Sequence, residues 1–190
     1  MSQKSFNGDH FLKESLAGLV EKYGVKTIIE TGTYMADSTF EFEKMVDTVY
    51  TIEVNETYFY SAKRRAEANK SSVNFLLGSS PEAIKGICSS NLLKKPILFF
   101  LDAHWYGYNP LLDELKTIAE CGLKDSIIVI HDFKVPGKDF GFDLFPDKRE
   151  YSWENICENV ENIYGNDGFV HYYNTHAAGS CRGVIFICPK

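Results

Sequence analysis

Lys26-Thr27-Ile28-Ile29-Glu30-Thr31-Gly32-Thr33-Tyr34-Met35-Ala36-Asp37-Ser38 is the stretch on which the reading of this chain turns. Its first part, Lys26 to Glu30, is a short β-branched run of the kind that suits a buried strand. A turn with one glycine follows. Ser38 and Glu41 then stand three residues apart, the spacing of a capping box that opens a helix. Strand, turn and helix in that order form the first half of a βαβ unit.

The same change of pattern recurs downstream. Val49 to Glu53 precedes a helix over Glu56 to Ala68, and Val73 to Leu77 precedes one that Pro81 opens and that ends near Ile87. Proline suits a first helical turn because its missing N–H has no partner there. Ile97 to Leu101 is apolar on both faces, as a central parallel strand is, and a helix from Pro110 to about Cys121 follows it. Ser126 to His131 is a fifth strand, Ser152 to Ile163 a final helix, and Phe169 to Asn174 with Arg182 to Cys188 a closing antiparallel pair. Upstream, Asp9 caps a helix carrying Phe11, Leu12, Leu16, Leu19 and Val20 at helical spacing, and Gly24 closes it. The spacing predicts an α/β fold: a doubly wound, Rossmann-like, seven-stranded sheet, mostly parallel, with a C-terminal antiparallel β-hairpin. One domain is expected over 1–190, with an N-terminal helical region over 1–24. Residues 133–151, rich in glycine, proline and aromatics, read as a lid or substrate loop.

Composition narrows the function. The formal charge of −6 disfavours a nucleic-acid or anionic-membrane partner, which a phosphate surface would repel. The apolar runs are far shorter than the roughly 20 residues that span a bilayer. Cys88, Cys121, Cys157, Cys181 and Cys188 form no CxxC pair and no zinc spacing, which points to scattered thiols in a reducing, cytoplasmic setting.

Ligands of doubly wound sheets bind outside the carboxyl ends of the strands, where strand order reverses. That rule selects the turns after Glu30, Glu53, Leu77, Leu101 and His131. The first is not GxGxxG, so a dinucleotide is disfavoured, but its amides suit a small anionic group. Glu53, 21 residues after Gly32, is placed to accept both hydroxyls of a ribose.

Glu30-Thr31-Gly32-Thr33, Tyr50-Thr51-Ile52-Glu53, Leu77-Gly78-Ser79-Ser80-Pro81, Phe99-Phe100-Leu101-Asp102-Ala103-His104-Trp105 and Ile130-His131-Asp132-Phe133 together resemble successive motifs of class I S-adenosylmethionine (SAM) methyltransferases. The similarity runs from about Lys26 to Ile187. It is nearest to the small bacterial group related to sugar and macrolide O-methyltransferases and cephalosporin-hydroxylase-like proteins. The resemblance implies SAM as cofactor, with Glu30, Gly32 and Thr33 at its methionine end. Glu53 would hold the ribose, and Gly78 with Ser79 would lie near the adenine; Tyr34, Ser38 and Asp102 are further candidate cofactor contacts. Ala36-Asp37 and Ser79 depart from the family, which often has a glycine and an aspartate at these places.

Asp102 and Asp132 end neighbouring strands and can share Mg²⁺ or Mn²⁺, hard ions that suit oxygen ligands. Metal-dependent members of the family carry acidic residues there. His104 is the candidate general base, because an imidazole titrates near neutrality. His131 and Asp132 are adjacent, so an extended strand would face them to opposite sides and admit only one to the site; Asp132 is the choice. Trp105, Tyr106, His131 and Arg182 are candidate substrate contacts, flanked by aromatics from Tyr108 to Trp153.

The expected activity is methyl transfer from SAM to a hydroxyl of a small-molecule or carbohydrate acceptor. Specificity would come from loops or from a partner subunit, as in a homodimer. Two alternatives stand beside it: a non-catalytic relative that binds SAM or a nucleotide, and a nicotinamide-dependent oxidoreductase. The latter is disfavoured because Tyr23, Tyr50 and Tyr60 lack a lysine four residues on.

Overall fold

A computed structural model describes residues 4–90, 93–104 and 108–190. The helices are α1 (His10–Tyr23), α2 (Asp37–Phe42), α3 (Glu56–Asn69), α4 (Ser80–Cys88), α5 (Leu111–Glu120) and α6 (Trp153–Tyr164). The strands are β1 (Thr27–Thr31), β2 (Thr48–Glu53), β3 (Asn74–Leu77), β4 (Ile97–Leu101), β5 (Ile127–His131), β6 (Phe169–Tyr173) and β7 (Val184–Pro189). They form one seven-stranded sheet in the order β3-β2-β1-β4-β5-β7-β6. β7 runs antiparallel to both β5 and β6, and the other pairings are parallel. The expected sheet is therefore present. Strand order reverses between β1 and β4, where Thr31 pairs with Leu101.

Period-2 alternation splits the apolar strand residues between two faces. Ile29, Phe99, Leu101, Ile128 and Ile130 pack with Leu115, Ile118, Ile156 and Val160 on one side. Ile28, Leu98, Phe100, Ile127 and Val129 pack with Leu12, Leu16 and Leu19 on the other. Each such side chain contributes roughly 1.5–3 kcal/mol by leaving water. Because β1, β4 and β5 are covered on both faces, ligand-facing groups are confined to their ends.

Local signals at helix ends are mostly obeyed. The Asp9 carboxylate accepts from Phe11 N and Leu12 N, and Gly24 closes α1 in the left-handed conformation. The capping box of Ser38 and Glu41 does not form. The chain enters α2 through Ala36 in the left-handed region, which places Ser38 inside the first turn. Its hydroxyl instead accepts from Phe6 N, and Glu41 pairs with Lys13 and Lys44. Among the described residues, no helix is long and apolar enough to cross a membrane.

Residues 133–151 are folded onto the core. Phe133 N donates to Gly183 O, Lys134 N to Tyr151 O, Asp143 N to Asp132 O and Tyr151 N to Asp143 O. Phe133, Val135, Phe145 and Tyr151 are buried. The segment forms a wall beside the ends of β5 and β7, and its aromatics act as anchors.

Candidate functional site

The turn after β1 is built around a buried acid. Glu30 Oε2 accepts from Thr39 Oγ1 at 2.5 Å and Thr51 Oγ1 at 2.7 Å. Burial pushes its carboxyl up to about 8, with the two hydroxyls offsetting part of the rise. Glu30 is thus a neutral acid at pH 7 that organises the turn from beneath. Thr33 Oγ1 lies 2.6 Å from Thr51 Oγ1 and belongs to the same network. Gly32 has φ +87°, and a Cβ there would lie 2.8 Å from Asp102 O, so only glycine lets this turn meet the end of β4. Tyr34 and Ala36 also have positive φ, at 48° and 63°. The turn therefore keeps a glycine-type path without the second glycine, at a cost of roughly 1–2 kcal/mol per residue. Arg65 of α3 holds it from outside: Nη1 donates to Met35 O, and Nη2 lies 2.7 Å from Asp37 Oδ1.

Glu53 joins this turn to the next. Tyr34 N donates to its Oε2 at 2.8 Å and Asn55 N to its Oε1 at 2.9 Å, and the residue is 4% exposed. A carboxylate has about four acceptor sites, so each oxygen keeps one. Tyr34, Val54, Leu77 and Tyr108 are large apolar residues left exposed around these strand ends. Gly78 N donates to Glu53 O, and Ser79 is the N-cap residue before α4. Ser79, Pro81, Tyr108, Asp113 and Lys116 help line an open groove of about 290 Å³.

The ends of β4 and β5 carry a charged cluster. His131, 3% exposed, has Nδ1 2.9 Å from Asp102 Oδ1 and 3.1 Å from Asp132 Oδ1. The expectation that only one of His131 and Asp132 joins the site is therefore corrected. Asp132 has φ +58°, so the chain leaves the strand there and curls the carboxylate back to the imidazole. Burial opposes charge on His131, but Asp102 and Asp132 outweigh it and raise its pKa well above the usual value. Burial likewise opposes the Asp132 carboxylate, but His131 and Arg182 outweigh it and hold Asp132 far below the carboxylate range.

Arg182 Nε lies 2.5 Å from Asp132 Oδ1, and Nη2 pairs with Asp143 Oδ1. His104 is half exposed, with Nδ1 3.8 Å from Asp132 Oδ2 and 3.6 Å from Asp143 Oδ2. Asp102, His104 and Asp132 each place one potential ligand atom within 4.8 Å of the others. Behind them, burial pushes the Glu114 carboxyl up to about 7, although Ser80 and Thr31 hydrogen-bond to it. The buried Tyr151 hydroxyl has no hydrogen-bond partner among the described residues. Burial raises its pKa, and Glu114, Asp143, Asp132 and Asp102 add to the rise, so the phenol stays protonated.

The structure thus gathers Gly32, Thr33, Tyr34 and Glu53 at the first two turns, and Asp102, His104, His131, Asp132 and Arg182 at the last two. Ser38 turns away to the N-terminal segment, and His131 is a buried bridge with little surface to offer a substrate. Trp105 and Tyr106 lie outside the described residues. Sequence reasoning missed Arg65, Glu114 and Asp143. Glu114 left a signal, being a charge on the apolar stripe of Leu111, Leu115 and Ile118. Asp143 left none.

No family model and no curated protein matches the sequence. Solved structures do. The O-methyltransferase TomG of Streptomyces achromogenes, in complex with SAM, superposes with a TM-score of 0.68 at 13% identity, over 94% of this chain and 79% of that one. An O-methyltransferase of Bacillus cereus in complex with S-adenosylhomocysteine (SAH) gives 0.66 at 19%, over 95% and 81%. This chain has the class I methyltransferase fold. The SAH-bound methyltransferase PaMTH1 of Podospora anserina agrees, with a TM-score of 0.60 at 15% identity over 94% and 78%. In the class I fold Gly32 stands at the reversal of strand order, and Glu53 ends the adjacent strand.

Proposed function

We propose that this chain transfers a methyl group from SAM to a hydroxyl of a small-molecule acceptor, sugars included. The observation that carries the reading is the Glu53 carboxylate. It stands at the end of β2, fixed by Tyr34 N and Asn55 N, with Tyr34, Val54 and Leu77 exposed beside it, one strand from the reversal point. This donor set fits SAM. The free acceptor sites of Glu53 suit the ribose hydroxyls, and Tyr34, Val54, Leu77 and Tyr108 suit an adenosine. Gly32 and Thr33 would face the methionine end, with Ser79 towards the adenine.

SAM, when bound, supplies an electrophilic methyl. The residues then have to present an oxygen nucleophile in line with it, and orientation supplies much of the rate. His104 takes the acceptor's proton, oriented by Asp132 and Asp143. A divalent cation fits the β4–β5 ends poorly, because Asp132 Oδ1 already meets both Arg182 and His131, and Asp102 Oδ1 meets His131. No step here needs one.

A second reading, a binding module without turnover, is favoured by the structural use already made of both Glu53 oxygens. Thermal unfolding with SAM, SAH or NAD tests the first reading. A ligand at 100 times its Kd adds about 2.7 kcal/mol, or roughly 5–10 °C for a chain of this size. SAM and SAH should give that shift and NAD none, and Glu53→Ala should abolish it. No shift with SAM or SAH at millimolar concentration removes the methyltransferase proposal. A shift without methyl transfer to any hydroxylated acceptor supports the binding module.

A further inference from the structure

We infer that Arg182 is a built-in replacement for a divalent cation. Its guanidinium takes the place on Asp132 that a metal held with Asp102 and His104 would need, and it holds Asp132 and Asp143 for His104.

Three observations carry this. The first is the two-pronged contact: Nε meets Asp132 Oδ1 at 2.5 Å, and Nη2 meets Asp143 Oδ1. The planar fork of arginine matches carboxylates in this way, and its charge does not titrate in proteins.

The second is the seat. A Cβ on Gly141 would lie 2.9 Å from Arg182 Nη1 and 3.0 Å from Cδ, so the glycine makes room for the side chain. The backbone around the seat is fixed on both sides. Gly141 N donates to Cys181 O, Gly183 N to Gly141 O, and Asn174 Nδ2 to Arg182 O. Arg182 thus occupies a prepared position and is only one-quarter exposed.

The third is exclusion. Magnesium binds oxygen at about 2.1 Å, so an ion on that oxygen of Asp132 would lie under about 5 Å from the guanidinium. That oxygen also lies 3.1 Å from His131 Nδ1. Of the other two groups of the cluster, Asp102 has Oδ1 2.9 Å from His131 Nδ1, and His104 offers nitrogen, which magnesium and manganese favour less than oxygen.

The consequence lies in the second oxygens. With Oδ1 of Asp132 and of Asp143 tied to one guanidinium, both Oδ2 atoms face His104 Nδ1, at 3.8 and 3.6 Å. Arg182 is in this sense a positioning residue that acts through two carboxylates. What it does for catalysis rests on the methyltransferase reading; the exclusion of a metal does not.

The test is Mn²⁺ binding to the full chain without SAM, followed by the loss of the free-ion electron paramagnetic resonance signal. Wild type should bind no Mn²⁺ at millimolar concentration. Arg182→Ala and the better-filling Arg182→Met should each gain a site, at least about tenfold tighter, that a further Asp132→Asn removes. Submillimolar Mn²⁺ binding by wild type that Asp132→Asn abolishes would overturn the inference, and so would folded Arg182 variants that gain nothing. The wild-type arm stands even if one variant does not fold. If wild type binds SAM, chelator should leave its affinity unchanged, and its methyl transfer should resist chelation while Arg182→Met shifts the pH profile of kcat more than KM. Because the Mn²⁺ titration involves no SAM, failure of this inference and failure of the methyltransferase reading are separate results.

Discussion

His131 Nδ1 lies 2.9 Å from Asp102 Oδ1, and this contact ties the end of β5 to the end of β4 through a nearly inaccessible imidazole. Removing the ring leaves Asp102 and Asp132 facing each other without their shared cation. Breaking a buried pair in this way costs about 3–5 kcal/mol, and the one-quarter exposure of Asp102 brings the expectation to the lower end, about 3. His131→Leu should show that loss in urea unfolding at pH 6. Since the folded pKa is raised, the stabilisation is complete below the unfolded value of about 6.5 and disappears as pH rises through the folded one. The gap between wild type and variant should narrow at high pH. A gap that widens there contradicts the bridge.

Glu30 and Glu114 act in the same direction on pH dependence. Their folded pKa values, about 8 and about 7, lie above the ordinary 4.5. Between 4.5 and those values the folded chain keeps protons that the unfolded chain has released, so stability falls as pH rises. The slope approaches about 1.4 kcal/mol per pH unit for each group. From pH 7 to 8 Glu30 gives the larger part of the remaining slope, and Glu30→Gln should flatten that part of the curve. Unchanged curvature would mean that Glu30 is charged in the folded protein.

Tyr151→Phe tests the buried hydroxyl, which has no hydrogen-bond partner among the described residues. An unpaired buried hydroxyl contributes nothing to the fold, so its removal should leave stability unchanged or raise it by about 1 kcal/mol, seen as roughly 2–4 °C in Tm. A clear loss of apo stability would show that the hydroxyl is paired within the fold.

Gly32→Ala places a methyl against Asp102 O in a backbone conformation that only glycine adopts freely. Strain and overlap together should cost about 2–4 kcal/mol. Chemical denaturation measures this directly, and a wild-type midpoint would mean that the β1 turn can withdraw from β4.

Much of the site could be read in advance because strand ends are local features. A β-branched run that stops at Glu53, Leu101 or His131 announces where the chain leaves the sheet, whatever packs above it. The same reasoning failed at Asp132. It assumed that the strand continues, whereas the chain turns through a left-handed residue, and alternation holds only within extended backbone. Ser38 misled for a related reason. Its spacing to Glu41 was right for a cap, but Ala36 starts the helix earlier, and Phe6, 32 residues away, takes the hydroxyl.

The order of strands and helices, the reversal of strand order and the glutamate beside it followed from the sequence, since periodicity and turn chemistry act over a few residues. The charge balance of the β4–β5 ends did not. Arg182 reaches Asp132 across 50 residues and Asp143 across 39, through a seat that needs Gly141. No local pattern reports such pairings, because Coulomb attraction depends on distance in space, and only the folded chain sets that distance.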